Sequence, residues 1–398
     1  MSDALVPSIV PAPAPPASAA APIPVALPPR VEPFRFTGAA GEYFGIWIVN
    51  LLLTLVTLGL YSPWAKVRRK RYFYGNTWLA DANFEYHGNP LAILRGRLLA
   101  FFAFVAYTGV THYWPRAGAA FLLAMLPAVP WLIVRSFAFN AVNSSYRNLR
   151  FHFDGTYREA LAAMWPFFLL PISTLVLPRV DAAHPPVKPT DMWVLFVPMM
   201  LVSLFYPYVI AKMKRLHVAR SRFGTTPLSC DLRVGAVYGI YFVAGGLAFV
   251  LAGVFGAVFA LGALGLGLAH ASSMGSGVFM LTLLPFIYIL VGSVTLGYTR
   301  SRVGNLVFNR SALRGGWQFH STVGARRLAW IYATNLAAIV FTLGLMIPWA
   351  AVRVARYRAE CLSLRGEGSL DGFIADATRQ VAATGEEMGE MFDLDLSL

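Results

Sequence analysis

Charged and amide side chains are sparse in this chain, so the few that recur at fixed spacing are where chemistry is to be sought. Five cations stand close together at Lys66, Arg68, Arg69, Lys70 and Arg71, just after the pair Pro63-Trp64. Pro348-Trp349 is followed in the same way by Arg353 and Arg356. Fainter copies run from Pro130-Trp131 to Arg135 and from Pro207-Tyr208 to Lys212, Lys214 and Arg215. Such clusters can hold anionic lipid headgroups or an anionic solute. They also serve simply to set membrane orientation. Recurrence of Arg68 and Arg71 as Arg353 and Arg356 is what keeps a contact role in view.

A second recurring pair is Asn50 and Asn335, each inside an apolar stretch. An amide there is costly unless paired, so it either bridges helices or lines a polar cavity. With Thr57 and Thr342, the two asparagines are the expected lining of any solute path between duplicated helices. No Asp or Glu lies within an apolar stretch, which argues against a proton-coupled carrier.

Other chemistries find little support. The seven histidines are scattered, none in an HExxH motif, and Cys230 and Cys361 are far apart, so no metal site or disulfide framework is expected. No nucleophile elbow, Walker A loop or dinucleotide fingerprint stands in its required context. Neither enzymatic activity nor a cofactor is therefore expected. The formal charge of +14 comes without a nucleic-acid-binding module, so nucleic acid is not an expected partner.

The elements that must position these residues are apolar. Hydrophobic residues make up 57% of the chain and charged ones 13%, against about a quarter charged in soluble domains. Apolar stretches cover 43–60, 98–114, 119–138, 161–177, 192–211, 236–269, 278–298 and 328–352, lengths suited to a bilayer core. The sixth is glycine-rich, for close helix packing. Lys and Arg collect after the first, third, fifth and seventh stretches and are sparse after the others, which assigns the former to the cytoplasm. Residues 1–32 read as a disordered Pro/Ala-rich tail, 33–365 as the membrane domain and 366–398 as an acidic mobile tail. The expected fold is an all-α polytopic membrane protein of about eight transmembrane helices.

Self-similarity sharpens this. Shifted by 285 residues, Phe34–Tyr72 lies on Phe319–Tyr357 without a gap, sharing T-L-G-L-x-x-P-W-A-x-V-R-x-x-R-Y. A shift of 67 brings Phe84-Glu-Tyr86-His-Gly88 onto Phe151-His-Phe153-Asp-Gly155, and a weak fourth copy matches Arg300 to Arg71. Each unit reads as a helix reaching the inner interface, where proline ends or kinks it and Trp or Tyr sits at headgroup level. The alternating F-x-[FY]-x-G that follows reads as a short cytoplasmic strand closed by a turn. Eight simple spans would place the first and last copies on opposite sides. A re-entrant segment would remove the conflict, but the uniform apolarity of 43–60 favours a full span.

The segments FRFTGAAGEYFGIWIVN, TLGLYSPWAKVRRKRYFYGNTW and FEYHG resemble the YjgN-like family of bacterial inner-membrane proteins, most sharply over 34–89 and less so through 365. That resemblance implies a multi-pass inner-membrane protein with no assigned substrate. Two functions are consistent with these residues: a transporter or channel-like facilitator of a small solute, and a non-transporting scaffold that contacts membrane lipids, anionic phospholipid included. Neither implies an oligomeric state.

Overall fold

The computed structural model describes residues 30–169, 193–265 and 273–396. Short strands alternate with helices: β1 (Arg30–Phe36), α1 (Ala40–Val56), α2 (Ser62–Gly75), β2 (Thr77–Leu79), β3 (Ala82–Tyr86), α3 (Pro90–Tyr113), α4 (Pro115–Met125) and α5 (Ala128–Val142). Next come β4 (Ser144–Tyr146), β5 (Leu149–Phe153), α6 (Tyr157–Met164), α7 (Trp193–Ala219), β6 (Ser221–Phe223), β7 (Thr226–Cys230), α8 (Val234–Gly265) and α9 (Ser273–Asn309). The chain finishes with β8 (Ser311–Leu313), β9 (Trp317–Ser321), α10 (Ala325–Phe341), α11 (Ile347–Glu360), β10 (Leu362–Gly366) and α12 (Leu370–Leu396).

The strands close into one antiparallel barrel, ordered β1-β10-β9-β8-β7-β6-β5-β4-β3-β2. Hairpins β2–β3, β4–β5, β6–β7 and β8–β9 stand side by side, and β1 closes the ring by pairing with both β2 and β10. Phe34 lies opposite Leu79 on one side of β1, and Glu32 lies opposite Leu364 on the other. Two of the turns use left-handed pairs, Ala80-Asp81 (φ 43° and 60°) and Arg147-Asn148 (φ 48° and 64°). That conformation matches the twist of the flanking strands.

Local chemistry explains why each helix stops and each strand begins. Asn76 and Asn143 donate from Nδ2 to the carbonyls of Tyr72 (2.9 Å) and Phe139 (2.7 Å), satisfying groups the helix end would leave open. The F-x-[FY]-x-G pattern has a packing cause. The rings of Phe36, Tyr86 and Phe153 fold over Gly38, Gly88 and Gly155, where an added Cβ would lie 2.7, 2.5 and 2.3 Å from ring atoms. Any side chain would displace the ring.

Phe34, Leu79, Tyr146, Leu149, Phe223, Leu313, Trp317 and Leu364 form one buried cluster in the barrel, joined by Leu370, Ile374 and Ala377 of α12. Phe373 of α12 stacks on Phe223 with centroids 6.5 Å apart, Thr225 bonds Gln380 at 2.8 Å, and Arg147 pairs with Asp371. That guanidinium holds the Asp371 carboxyl below its ordinary range. The barrel is a packed core covered by α12.

These findings correct the expected all-α fold of about eight spans. The short strands are a closed ten-stranded barrel, to which α2, α5, α7, α9 and α11 each return. Among the described residues four segments are long and apolar enough to cross a membrane: Pro90–Tyr113, Leu123–Val142, Phe196–Ala219 and Val234–Gly262. Helix α1, at 17 residues, is a shorter apolar helix; Thr57–Tyr61 then reverses the chain into α2. The uniform apolarity of 43–60 therefore marks one arm of a hairpin and its tip. A single barrel also orients the first and last copies alike, which removes the sidedness conflict. Of the terminal segments, 1–29 lie outside the described residues, whereas Arg30–Glu32 belong to β1, and α12 contributes Leu370, Ile374 and Ala377 to the core.

Candidate functional site: cation–aromatic pairs on the returning helices

Among the described residues five helices return to the barrel, α2, α5, α7, α9 and α11, and each is followed after one residue by a short strand. Counting back nine residues from that strand gives Arg68, Arg135, Lys212, Arg302 and Arg353. At 1.5 Å per residue these cations stand about 13 Å from the barrel along their helices. Each touches an aromatic face: Arg68 over Tyr61 (6.0 Å to the centroid), Arg135 over Trp131 (5.7 Å), Lys212 over Tyr208 (5.7 Å), Arg302 over Tyr298 (5.8 Å) and Arg353 over Trp349 (5.0 Å). Four of these pairs are four residues apart, one helical turn, which brings ring and cation together. In the first unit Tyr61 takes the cation, and Trp64 stacks on Tyr61 at 6.0 Å.

The prolines have a defined place. Pro63 and Pro348 lie in the first two positions of α2 and α11, where a fixed φ favours helix initiation. Pro130 is the third residue of α5 and Pro207 is internal to α7. Pro63, Pro130 and Pro348 are fully buried. They begin or continue the returning helix rather than end the outgoing one.

Asn335 bridges the two arms of its hairpin. Its Nδ2 donates to Ala350 O of α11 (3.2 Å), and its Oδ1 accepts from Arg353 Nη1 (3.1 Å). Asn50 is equally buried, but its Oδ1 meets no donor among the described residues. Thr57 donates to Leu53 O (2.7 Å) and accepts from Tyr61 N (3.0 Å), and Thr342 does the same with Ala338 O (2.7 Å) and Met346 N (3.1 Å). Both threonines thus cap the reversal at a hairpin tip. The structure joins Asn335 to Arg353 and leaves the two threonines apart, at separate tips.

The basic cluster divides by function. Lys70 Nζ donates to Asn140 Oδ1 (2.5 Å) and lies 4.5 Å from the Tyr86 ring centroid, tying α2 to α5 and β3. Burial, reinforced by Lys66, lowers its pKa to about 8. Arg356 donates to Gly38 O (3.1 Å), and Arg353 donates to Thr334 Oγ1 (2.6 Å). Arg68 and Arg71 are exposed and line a cleft of about 490 Å³ with Gly45, Ile46, Val49 and Tyr72. No group of three or more metal-ligating side chains occurs among the described residues.

A family model for a bacterial protein of unknown function, DUF898, matches residues 31–391, from the first strand of the barrel into its covering helix. The chain belongs to the DUF898 family. The "Inner membrane protein YjgN" of Salmonella typhimurium is 25% identical over 350 residues, 83% of this chain and 88% of that protein. Its namesakes in Escherichia coli O157:H7 and K12 are each 32% identical over 142 residues, 35% of this chain and 34% of each relative. No solved structure matches. This DUF898 chain is an inner-membrane protein, as its relatives' names and its four span-length helices agree.

Sequence comparison alone missed Arg302. The weak fourth copy aligns Arg300 with Arg71, yet Arg71 lies six residues before β2 and Arg300 eleven before β8. Counting from the strand, rather than matching letters, would have found Tyr298 and Arg302.

Proposed function

We propose that this protein is a non-catalytic, non-transporting scaffold that grips the anionic phospholipids of one leaflet through its cation–aromatic pairs. The observation carrying this reading is the constant nine-residue offset of the five cations from one closed barrel. Equal offsets set cations at a common depth, and a headgroup layer is a plane of fixed depth. Aromatic rings at that level suit the membrane interface, and each basic residue near an anionic surface adds about 1 kcal/mol of attraction. Beyond the pairs, the tips are apolar, with Leu58 94% and Leu343 96% exposed.

A solute path is supported less well. Of the polar groups expected to line it, Asn335, Thr57 and Thr342 are engaged within their own hairpins, and apolar side chains with α12 fill the barrel axis. The positive-inside pattern assigns the barrel to the cytoplasmic side.

Nanodiscs of phosphatidylcholine alone, or with phosphatidylglycerol, test the reading. The anionic lipid is expected to raise the thermal unfolding midpoint by several degrees. That gain should vanish when Arg68, Arg135, Lys212, Arg302 and Arg353 are all changed to Gln. Equal midpoints in the two lipids, or solute flux above that of empty vesicles, would overturn it.

A further inference from the structure

The duplicated hairpins α1–α2 and α10–α11 share their arginines but not their surroundings. In the C-terminal copy Arg353 bonds Thr334 and Asn335, and Arg356 bonds Gly38 O. In the N-terminal copy Arg68 and Arg71 make no hydrogen bond or ion pair to any described residue. Two exchanges lie at the root of this. Thr334, which takes the Arg353 guanidinium, corresponds to Val49, which has nothing to accept with. Trp330 corresponds to Gly45, so the outer wall of α1 is bare where α10 carries an indole. The outcome is the cleft of about 490 Å³, apolar along Gly45, Ile46 and Val49 and basic at Arg68 and Arg71. Tyr72 forms another wall, held by bonds from its hydroxyl to Ala39 O (2.8 Å) and Glu42 Oε2 (3.2 Å) and by stacking on Tyr43 at 5.2 Å.

We infer that the α1–α2 cleft is a specific site for one anionic glycerophospholipid, whereas α10–α11, whose arginines are also bonded within the fold, offers no such site. The headgroup phosphate lies between Arg68 and Arg71, which supply the planar donors that a phosphate accepts. An acyl chain runs along Ile46 and Val49 toward the apolar tip at Leu58. Two guanidinia without a hydrogen bond or ion pair among the described residues, beside an apolar wall, fit a lipid, and the volume falls within the ordinary range for ligand sites. This deepens the leaflet-gripping reading and rests on it, but it concerns one cleft and not the whole set of pairs.

The discriminating variant is Gly45→Trp with Val49→Thr, which gives the N-terminal copy the C-terminal residues and removes no charge. A Cβ at Gly45 meets no atom within 4 Å, so a side chain can leave the helix there without a clash at its base. Native mass spectrometry of the full chain in detergent, titrated with phosphatidylglycerol, phosphatidylcholine or inorganic phosphate, supplies the readout. The wild type is expected to retain one phosphatidylglycerol, and the double variant to bind it about tenfold more weakly. Arg68→Gln with Arg71→Gln, at exposed positions, should lose the same lipid and serves if the bulkier variant fails to fold. Arg353→Gln with Arg356→Gln should keep the lipid and lose thermal stability. Equal retention by the wild type and by whichever cleft variants fold, or displacement by inorganic phosphate or phosphatidylcholine, would overturn the inference. The nanodisc preference for phosphatidylglycerol, read separately, would then still stand or fall by the fivefold variant.

Discussion

Asn50 and Asn335 occupy equivalent positions and carry the same amide, yet their energetic roles differ. Asn335 satisfies Ala350 O and shares Arg353 with Thr334, while Asn50 Oδ1 is buried without a donor among the described residues. Removing a partner from a buried bonded group costs about 1–3 kcal/mol, whereas removing an unmatched group costs little. Asn335→Leu should therefore destabilise the protein by about 1–3 kcal/mol in chemical unfolding in detergent, and Asn50→Leu by much less. Equal losses would mean that Asn50 has a partner of its own. The importance of both residues was legible from their recurrence within apolar runs. The difference between them was not, because it depends on Val49 against Thr334 one position earlier, a contrast that identity matching discards.

At the scale of the element, the hairpin tip is the most informative feature. Gly59 N donates to Thr54 O (2.7 Å) and Leu58 N to Leu55 O (3.1 Å), and the other tip repeats this with Gly344 N to Ile339 O (2.8 Å) and Leu343 N to Val340 O (3.2 Å). This helix-ending motif puts Leu58 and Leu343 in the left-handed region, with φ 48° and 50°, where glycine is usual and a side chain costs about 1–2 kcal/mol. A strained and almost fully exposed leucine in both copies makes sense if acyl chains surround it. A nitroxide on Leu58→Cys, with Cys230 and Cys361 changed to Ser, should be accessible to oxygen and shielded from a water-soluble nickel chelate. The reverse accessibility would place the tip outside the membrane. That the T-L-G-L segment reverses the chain was hidden by composition, since this tip is as apolar as a span.

For the whole molecule, the barrel and α12 form one core. Trp317 is 1% exposed and joins the cluster that includes Leu364 and the first turns of α12. Trp317→Ala should cost about 3–5 kcal/mol. Hydrogen exchange should then accelerate together in β8–β10 and in residues 370–377, because they share that core. Acceleration confined to the strands would show that α12 folds independently of them.

The amino-acid sequence by itself determined the membrane environment, the positions of the basic and aromatic residues and the duplication of the first hairpin in the last. Those follow from composition and from spacing along one helix, which neighbours in the chain dictate. Only the tertiary structure decided that the strands form a closed barrel, that the terminal hairpins turn back, and that Arg302 belongs with Arg68. Strands of three to seven residues, several joined across more than sixty positions, are too short to announce their partners. Which strand lies beside which is settled by ring closure and by aromatic contacts across strands, such as Phe84 on Tyr146 and Phe151 on Phe223, interactions between segments that no local pattern records.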